Sequence, residues 1–445
     1  MASGDAAGAE ACLRRALALA PDLAEAHANL ALVLEQTGRP AEAEVHYRLA
    51  LAAKPDLALT HLNLGALLHS LKRLDEAEAA YRTALALDSA NPAVWSNLGS
   101  LLACLKQEAA AEDCLRQALR LQPEHAGARF NLSYVLLRQG RFAEGWQCFE
   151  ARGWYARFEQ ALDCPRWRGE SLASRNLLIV PEAGHGDMIQ FCRYAALVKA
   201  AGAAHVCLFC HPGLKRLFAS LKGLDAVCCG PDDWPAVEPD YWTPLLSLPG
   251  HFNTGLATIP AALPYLEPDE MDRRRMAGFI AAHTDSGKLR IGLAWRGNPR
   301  FENDAERSLP SLDLLAPLGQ IEGLSFFSLQ KDSSEAACPP ESLELVDLAP
   351  LLNDFADTAA AIVNLDLIIS VDTAVAHLAG ALAKPFWLLL ADYKPDWRWL
   401  ADREDSPWYP GLARIFRQQT AGEWSQVVDA IGLALEVFSR EHRVR

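Results

Sequence analysis

The segment IISVDTAVAHLAGAL sets Asp372 and Thr373 directly after an apolar run and His377 four residues after Thr373. A buried strand ending at Val371 would hand over there to a helix, whose free N–H groups and partial positive charge suit a diphosphate. Four residues is about one helical turn, so His377 shares the face of Thr373, one turn deeper. Asp and Thr are also ordinary N-caps, and a helix histidine can be plain core. A second cluster, AWRGNPRFENDAERSLP, gathers Arg296, Asn298, Arg300 and Arg307 in one loop, and SLQK adds Ser328, Gln330 and Lys331. Forked guanidinium bonds fit a phosphate-bearing ligand; ion pairs to Glu302, Asp304 and Glu306 are the competing use. The third cluster, PEAGHGDMIQFCRY, places Gly184 and Gly186 in a turn that lets backbone approach a ligand, with Asp187 at a helix start. That carboxylate could take a proton from an attacking hydroxyl, or cap the helix. Residue 189 is Ile, so the Gly-x-Gly-x-x-Gly dinucleotide pattern stays incomplete and a hydride-transfer enzyme is disfavoured.

Each cluster follows an apolar run, and these runs define the scaffold. NLLIV, AHVCLFC, KLRIGLAW, SFFSLQ, LDLIISV and PFWLLL read as strands, separated by helical stretches such as MIQFCRYAALVKA, DFADTAAAIVNL and DTAVAHLAGAL. This alternation predicts parallel sheets, with ligands held beyond the carboxyl ends of the strands. Residues 170–285 and 286–445 make two such halves facing one cleft, and 231–268, rich in Pro and turn residues, is expected to be irregular. Cys207 and Cys210 form a Cys-x-x-Cys pattern inside a strand. A three-residue offset sends their thiols to opposite faces, so no metal is expected there.

The first 160 residues follow another period. Pro21, Pro55 and Pro123 fall in a 34-residue register, with Ser89 at the remaining position. Ala9, Ala43, Ala77 and Ala111 share a second register, and Ala16, Ala50, Ala84 and Ala118 a third. Leu13, Tyr47, Tyr81 and Leu115 recur likewise, as do Leu30, Leu64, Leu98 and Leu132. The pattern resembles the tetratricopeptide repeat, an antiparallel helix pair in which small residues allow close approach and large ones fill the gap. The first unit shows only its second helix. The last departs at Gly145 and Arg152, as a capping helix would. Such stacks offer a groove for a peptide or partner protein, or serve as a spacer. The whole chain has 445 residues with 42 Lys+Arg against 56 Asp+Glu. That length asks for about three domains, and the acidic balance argues against nucleic acid as a partner. Eleven scattered cysteines read as reduced and the protein as cytoplasmic. Neither a signal peptide nor an apolar run of about 18 residues is seen, so no membrane span is expected.

Residues 177–418 resemble GT-B glycosyltransferases of the family 9, heptosyltransferase-like type, and bacterial proteins that join tetratricopeptide repeats to such a domain. The stretches that carry the resemblance are GHGDMIQFCRY, LAWRGNPRFENDAERSLP, SFFSLQK, DFADTAAAIVNLDLIISVDTAVAHLAGALAKPFWLLL and DWRWLADREDSPWYPGLARIFRQ. It implies an α + α/β chain: an N-terminal TPR α-solenoid (1–160), then a GT-B fold of two Rossmann-like domains, acceptor side first. The family's Gly-Asp matches Gly186-Asp187, which makes Asp187 the implied base. Its Asp-(Ser/Thr)-x-x-x-His matches Asp372, Thr373 and His377 on the donor side. Arg296, Asn298, Arg307, Gln330 and Lys331 would hold the nucleotide sugar. Ala374 stands where heptosyltransferases commonly have Gly, so donor identity does not transfer, and the role of Glu182 stays open. No Asp-x-Asp pair occurs in the sequence, so a metal-free reaction without further cofactor is expected. The repeats would present a protein acceptor. The competing readings are a non-catalytic scaffold and an enzyme directed at a glycan or lipopolysaccharide.

Overall fold

The computed structural model describes residues 3–234, 236–301, 303–331 and 334–443. Glu302, weighed above as an ion-pair partner, lies outside them. The chain divides into two compact units, residues up to Leu136 with Cys148–Arg152, and Leu137–Gln147 with the residues from Gly153 onward.

The first unit is helical. After the helix Ser3–Leu19 come three antiparallel pairs, Ala24–Gln36 with Pro40–Ala53, Ala58–Ser70 with Leu74–Leu87, and Pro92–Cys104 with Glu108–Leu121. The 34-residue registers are its core: Ala43, Ala77, Ala111, Tyr47, Leu115 and Ala118 are completely buried, and Tyr81 nearly so. A Cβ built on Gly65 would lie 2.7 Å from the Tyr81 ring, and one on Gly99 would lie 2.6 Å from Leu115. The small-against-large rule read from the sequence is therefore literal contact. Each first helix ends with a left-handed residue, at Gly38, Lys72 and Lys106, with φ of 75°, 61° and 59°. The next residue's N–H then reaches back to the carbonyl of Leu34, Leu68 or Leu102, closing a Schellman turn. Ala9, Leu13 and Ala16 are less covered than their counterparts, because the first helix has packed neighbours on one side.

The second unit carries two all-parallel sheets. In the first, β1 (Asn176–Val180), β2 (His205–Phe209), β3 (Ala226–Cys228) and β4 (Tyr241–Pro244) lie in the order β3-β2-β1-β4. In the second, β5 (Leu289–Ala294), β6 (Leu324–Ser328), β7 (Leu345–Asp347), β8 (Leu367–Val371), β9 (Phe386–Leu390) and β10 (Ala413–Arg417) lie in the order β10-β9-β8-β5-β6-β7. Strand order reverses at β5 against β8, which opens a crevice at their carboxyl ends. The interior strands β8 and β9 are buried along their full length, as continuous apolar runs demand. One expectation fails here. The segment 231–268 is not wholly irregular, because Tyr241–Pro244 pairs with β1. Its Trp and Thr favour a strand, and the proline is tolerated because β4 is an edge. Cys207 and Cys210 point to different partners, as the strand offset requires. Their sulfurs lie 3.6 Å from those of Cys228 and Cys229 respectively. All eleven cysteines are free thiols.

Candidate active site

Two short helices bring the site together. The helix His185–Phe191 follows β1 and the helix Ala374–Ala381 follows β8, and they pack against each other. Gly186 permits this: a Cβ there would meet the His377 ring at 3.0 Å and the Ala374 backbone at 3.5 Å. Asp187 thus arrives beside Asp372, Thr373 and His377, although nearly two hundred residues separate them in sequence.

Asp187 occupies the first turn of its helix, and its Oδ2 accepts the Gly184 N–H at 2.9 Å. Its Oδ1 accepts from Arg398 on the short helical turn Trp397–Trp399. Both the cap and a wider electrostatic role are present. Burial pushes the Asp187 carboxyl up, and the Arg398 charge pulls against it. Arg398 also donates to Gln190 Oε1 at 2.6 Å and to both Asp396 oxygens at 2.8 and 2.9 Å.

Thr373 is the N-cap of its helix: its hydroxyl accepts the Val375 N–H at 3.3 Å and pairs with Ser370 at 3.1 Å. Asp372 beside it is pushed up to about 7 by burial and by Asp396, with Arg307, a bond from the Trp399 indole and Arg398 opposing. His377 is 6% exposed, stacks on Trp399 at 5.3 Å, and bonds Tyr409 through Nδ1 at 3.0 Å. Burial first, then Arg398, Arg193 and Arg307, hold it well below the usual histidine range. It is a neutral imidazole at pH 7.

The basic loop is more internally occupied than its sequence suggests. Arg296 donates to Glu335 at 2.9 Å and to the Leu309 carbonyl, while its N–H is held by Gln330 Oε1 at 2.9 Å. Arg307 pairs with Asp304 at 3.1 Å and lies over the Phe301 ring, so the ion-pair use foreseen for this loop exists. Lys331 donates to the Asn353 carbonyl, and Asn298 is exposed, accepting the Arg300 N–H. Of this set Arg307 is the member whose charge reaches Asp372. Glu182 accepts the Leu246 N–H at 2.9 Å and so anchors the loop before Gly184. Among the described residues, no three His, Cys, Asp or Glu side chains gather to hold a metal ion.

Sequence reasoning did not single out Arg398, Asp396, Gln190, Trp399 or Tyr409. The DWRW and SPWYP stretches contain four of them, but nothing in their spacing says that Arg398 reaches across 211 positions to Asp187. A second omission lay in plain view. Asn29, Asn63, Asn97 and Asn131 recur every 34 residues, each just before the periodic leucine.

A Tetratricopeptide repeat model matches residues 1–58 and 108–161, and a TPR repeat model matches 67–104. Protein FlbA of Caulobacter vibrioides is 28% identical over 348 residues, 70% of this chain, and the chain spans 55% of that relative's length. That share is more than the repeats alone supply, so the likeness continues into the α/β unit. Pseudomonas aeruginosa PilF is 29% identical over 35% of this chain and 72% of its own, with a TM-score of 0.32. YrrB, described as a TPR protein with an unusual peptide-binding site, is 24% identical over 31% and 72%, with a TM-score of 0.29. No helix is long and apolar enough to cross a membrane among the described residues. The chain is thus a tetratricopeptide-repeat array followed by an α/β unit of two parallel sheets.

Proposed function

We propose that this chain is a GT-B glycosyltransferase, its two sheets the cores of Rossmann-like halves. It moves a sugar from a nucleotide-sugar donor to a hydroxyl of a protein acceptor, inverting and metal-independent. The observation that supports this most is the meeting of Asp187, from the first sheet's carboxyl end, with Asp372, Thr373 and His377 at the second's.

The residues divide the work. The acceptor oxygen attacks the anomeric carbon as its proton passes to Asp187, and the bond from that carbon to the diphosphate oxygen breaks with its electron pair. Asp187 is suited to this because burial brings its carboxyl toward the working pH. The departing negative charge is met by N–H groups at the Thr373 helix start, by Arg307 and by Arg398. Asp372, at about 7, can stand protonated beside a phosphate and donate to it. Neutral His377 offers its other ring nitrogen without adding charge. Arg296, Gln330 and Lys331 brace the strand ends around the nucleotide, with Asn298 at the mouth. In the repeats, the Asn29, Asn63, Asn97 and Asn131 register repeats an amide, a group that can donate to and accept from an extended peptide whatever its side chains, with Asn97 also bonding Tyr81. A spaced row of this kind supports a protein acceptor over a lipopolysaccharide.

Release of nucleoside diphosphate, measured across a panel of nucleotide sugars, tests the reading. The wild type should turn over at least one donor, slowly as hydrolysis, and Asp187→Ala should be at least about 100-fold slower. If titration calorimetry detects no nucleotide sugar bound to the wild type, the enzyme reading is lost to the scaffold one.

A further inference from the structure

The site holds a buried donor without an acceptor. Gln190 is fully buried and its Nε2 has no hydrogen-bond partner, although its Oε1 is taken by Arg398. The Trp399 indole, on a ring stacked over His377, is buried with its N–H toward the Asp372 carboxyl. The Gln190 amide lacks an acceptor close to Arg398 and the Thr373 helix start, and an oxygen-rich anion supplies acceptors. Meanwhile both oxygens of Asp187 are engaged, by Arg398 and by the Gly184 N–H, so the carboxylate is not free to receive an acceptor's proton.

Arg398 sits between these two facts. It is 5% exposed, lies over the Trp397 ring at 4.5 Å, and contacts Asp187 from the opposite sheet. We infer that Arg398 holds Asp187 in reserve: a diphosphate at the Thr373 helix start draws the guanidinium to itself and frees the carboxylate. The inference rests on the glycosyl-transfer reading and deepens it, because it makes the donor arrive before the acceptor is activated. Asp396 keeps hold of Arg398 throughout, so the guanidinium pivots between Asp187 and the anion and is not released to solvent. An acceptor entering first would find its base engaged, which protects the site from futile proton transfer.

A double-mutant cycle on the full chain, read as the affinity for inorganic pyrophosphate by titration calorimetry, tests this. Asp187→Asn should tighten pyrophosphate about 10-fold, because the guanidinium no longer has to leave a carboxylate. Arg398→Gln should weaken it at least 10-fold. In the Arg398→Gln background, Asp187→Asn should change affinity less than about 3-fold. Removal of a negative charge alone would give the same gain in both backgrounds, and that result overturns the latch while leaving glycosyl transfer standing. An unchanged affinity in Asp187→Asn overturns it equally. Absence of pyrophosphate and nucleoside diphosphate binding in every variant removes both readings together. Thermal melts confirm that each variant is folded. Should Arg398→Gln not fold, Arg398→Lys serves: its single ammonium cannot fork to Asp187 and Asp396 at once, so the Asp187→Asn gain should again fall below about 3-fold.

Discussion

The repeat unit solves one packing problem several times, and the α/β unit solves many problems once each. At the turn into each first helix, a carbonyl accepts a bond from the side chain six residues on. His27 bonds Pro21 at 2.8 Å, His61 bonds Pro55 at 3.0 Å, Trp95 bonds Ser89 at 2.9 Å, and Arg129 bonds Pro123. Three chemistries fill one geometric role, so the backbone register is the invariant and the donor is interchangeable. In the α/β unit the reverse holds. Asp187 to Arg398, and His377 to Tyr409, are single long-range contacts with no second copy elsewhere to absorb a change. Redundancy in the array should therefore show as tolerance, and uniqueness in the site as fragility.

Two glycines measure that difference with the largest expected effect. A Cβ on Gly380 would fall 2.3 to 2.7 Å from three atoms of the Tyr409 ring, which is buried and bonded to His377. Sheet and helix bound that ring, so it cannot swing away. Gly380→Ala should cost about 3 kcal/mol by overpacking, read as a loss of stability in chemical denaturation. Gly65 faces Tyr81 at a similar 2.7 Å, yet the corresponding position one repeat earlier is already alanine: Ala31, completely buried, sixteen residues before Tyr47. The array accommodates the methyl by a small change in helix crossing, and alanine adds helix propensity. Gly65→Ala should cost less than about 1 kcal/mol. Equal costs at the two sites would break the contrast.

The same contrast sorts what could be read from the sequence. Repeat boundaries, buried faces and the small-against-large pairs were legible because their period repeats the evidence, so a chance match at Ala43 would need repeating at Ala77 and Ala111. Most strands of the α/β unit were legible as apolar runs. β3, β4, β7 and β10 were not; β4, for one, is a four-residue run ending in Pro244, too short to stand out from a turn-rich segment. The polar residues at the strand ends were visible, but their partners were not. Arg398 looks in sequence like any arginine between tryptophans, and only the chain path carries it to Asp187. The basic loop misled in the other direction, because charge composition counts Arg296 as available while the fold gives it Glu335.

A smaller effect, of opposite sign, sharpens the picture of the array. Residues 38, 72, 106 and 140 all take positive φ, and two of them are glycine. Lys72 and Lys106 adopt φ near 60° against the steric preference of an L-residue, in order to close the same Schellman turn. Lys106→Gly relieves that strain but frees the unfolded chain, and the first term is the larger. The variant should be more stable by about 0.5 kcal/mol in urea unfolding. A loss of stability would mean that the lysine side chain contributes more at this turn than the backbone costs.

The smallest effect tests whether the interchangeable donors are equivalent at every pH. His27 gives its Nε2 proton to the Pro21 carbonyl, which can only accept, so its Nδ1 is the acceptor in the 2.8 Å contact with His46 Nδ1. His46 must donate there; a second proton on His27 places two N–H groups face to face, and one on His46 adds a charge to a partly buried ring beside it. Burial, then His27, then Arg14 hold His46 below the ordinary histidine range, with Glu42 opposing and Arg39 adding to the shift. For a histidine whose folded pKa is depressed, the unfolded chain binds the proton more readily. Stability is therefore complete above pH ~6.5 and declines as pH falls below it, flattening once the folded His46 is itself protonated. Because His46 is half-exposed, the decline should be modest, about 2 °C in the melting temperature of the repeat unit between pH 7 and 5. His46→Leu should abolish that part of the decline. His61, which bonds Pro55 without a histidine neighbour, is the internal control: His61→Gln should leave the slope unchanged, and a slope that moves equally with both would show that the paired rings are not its source.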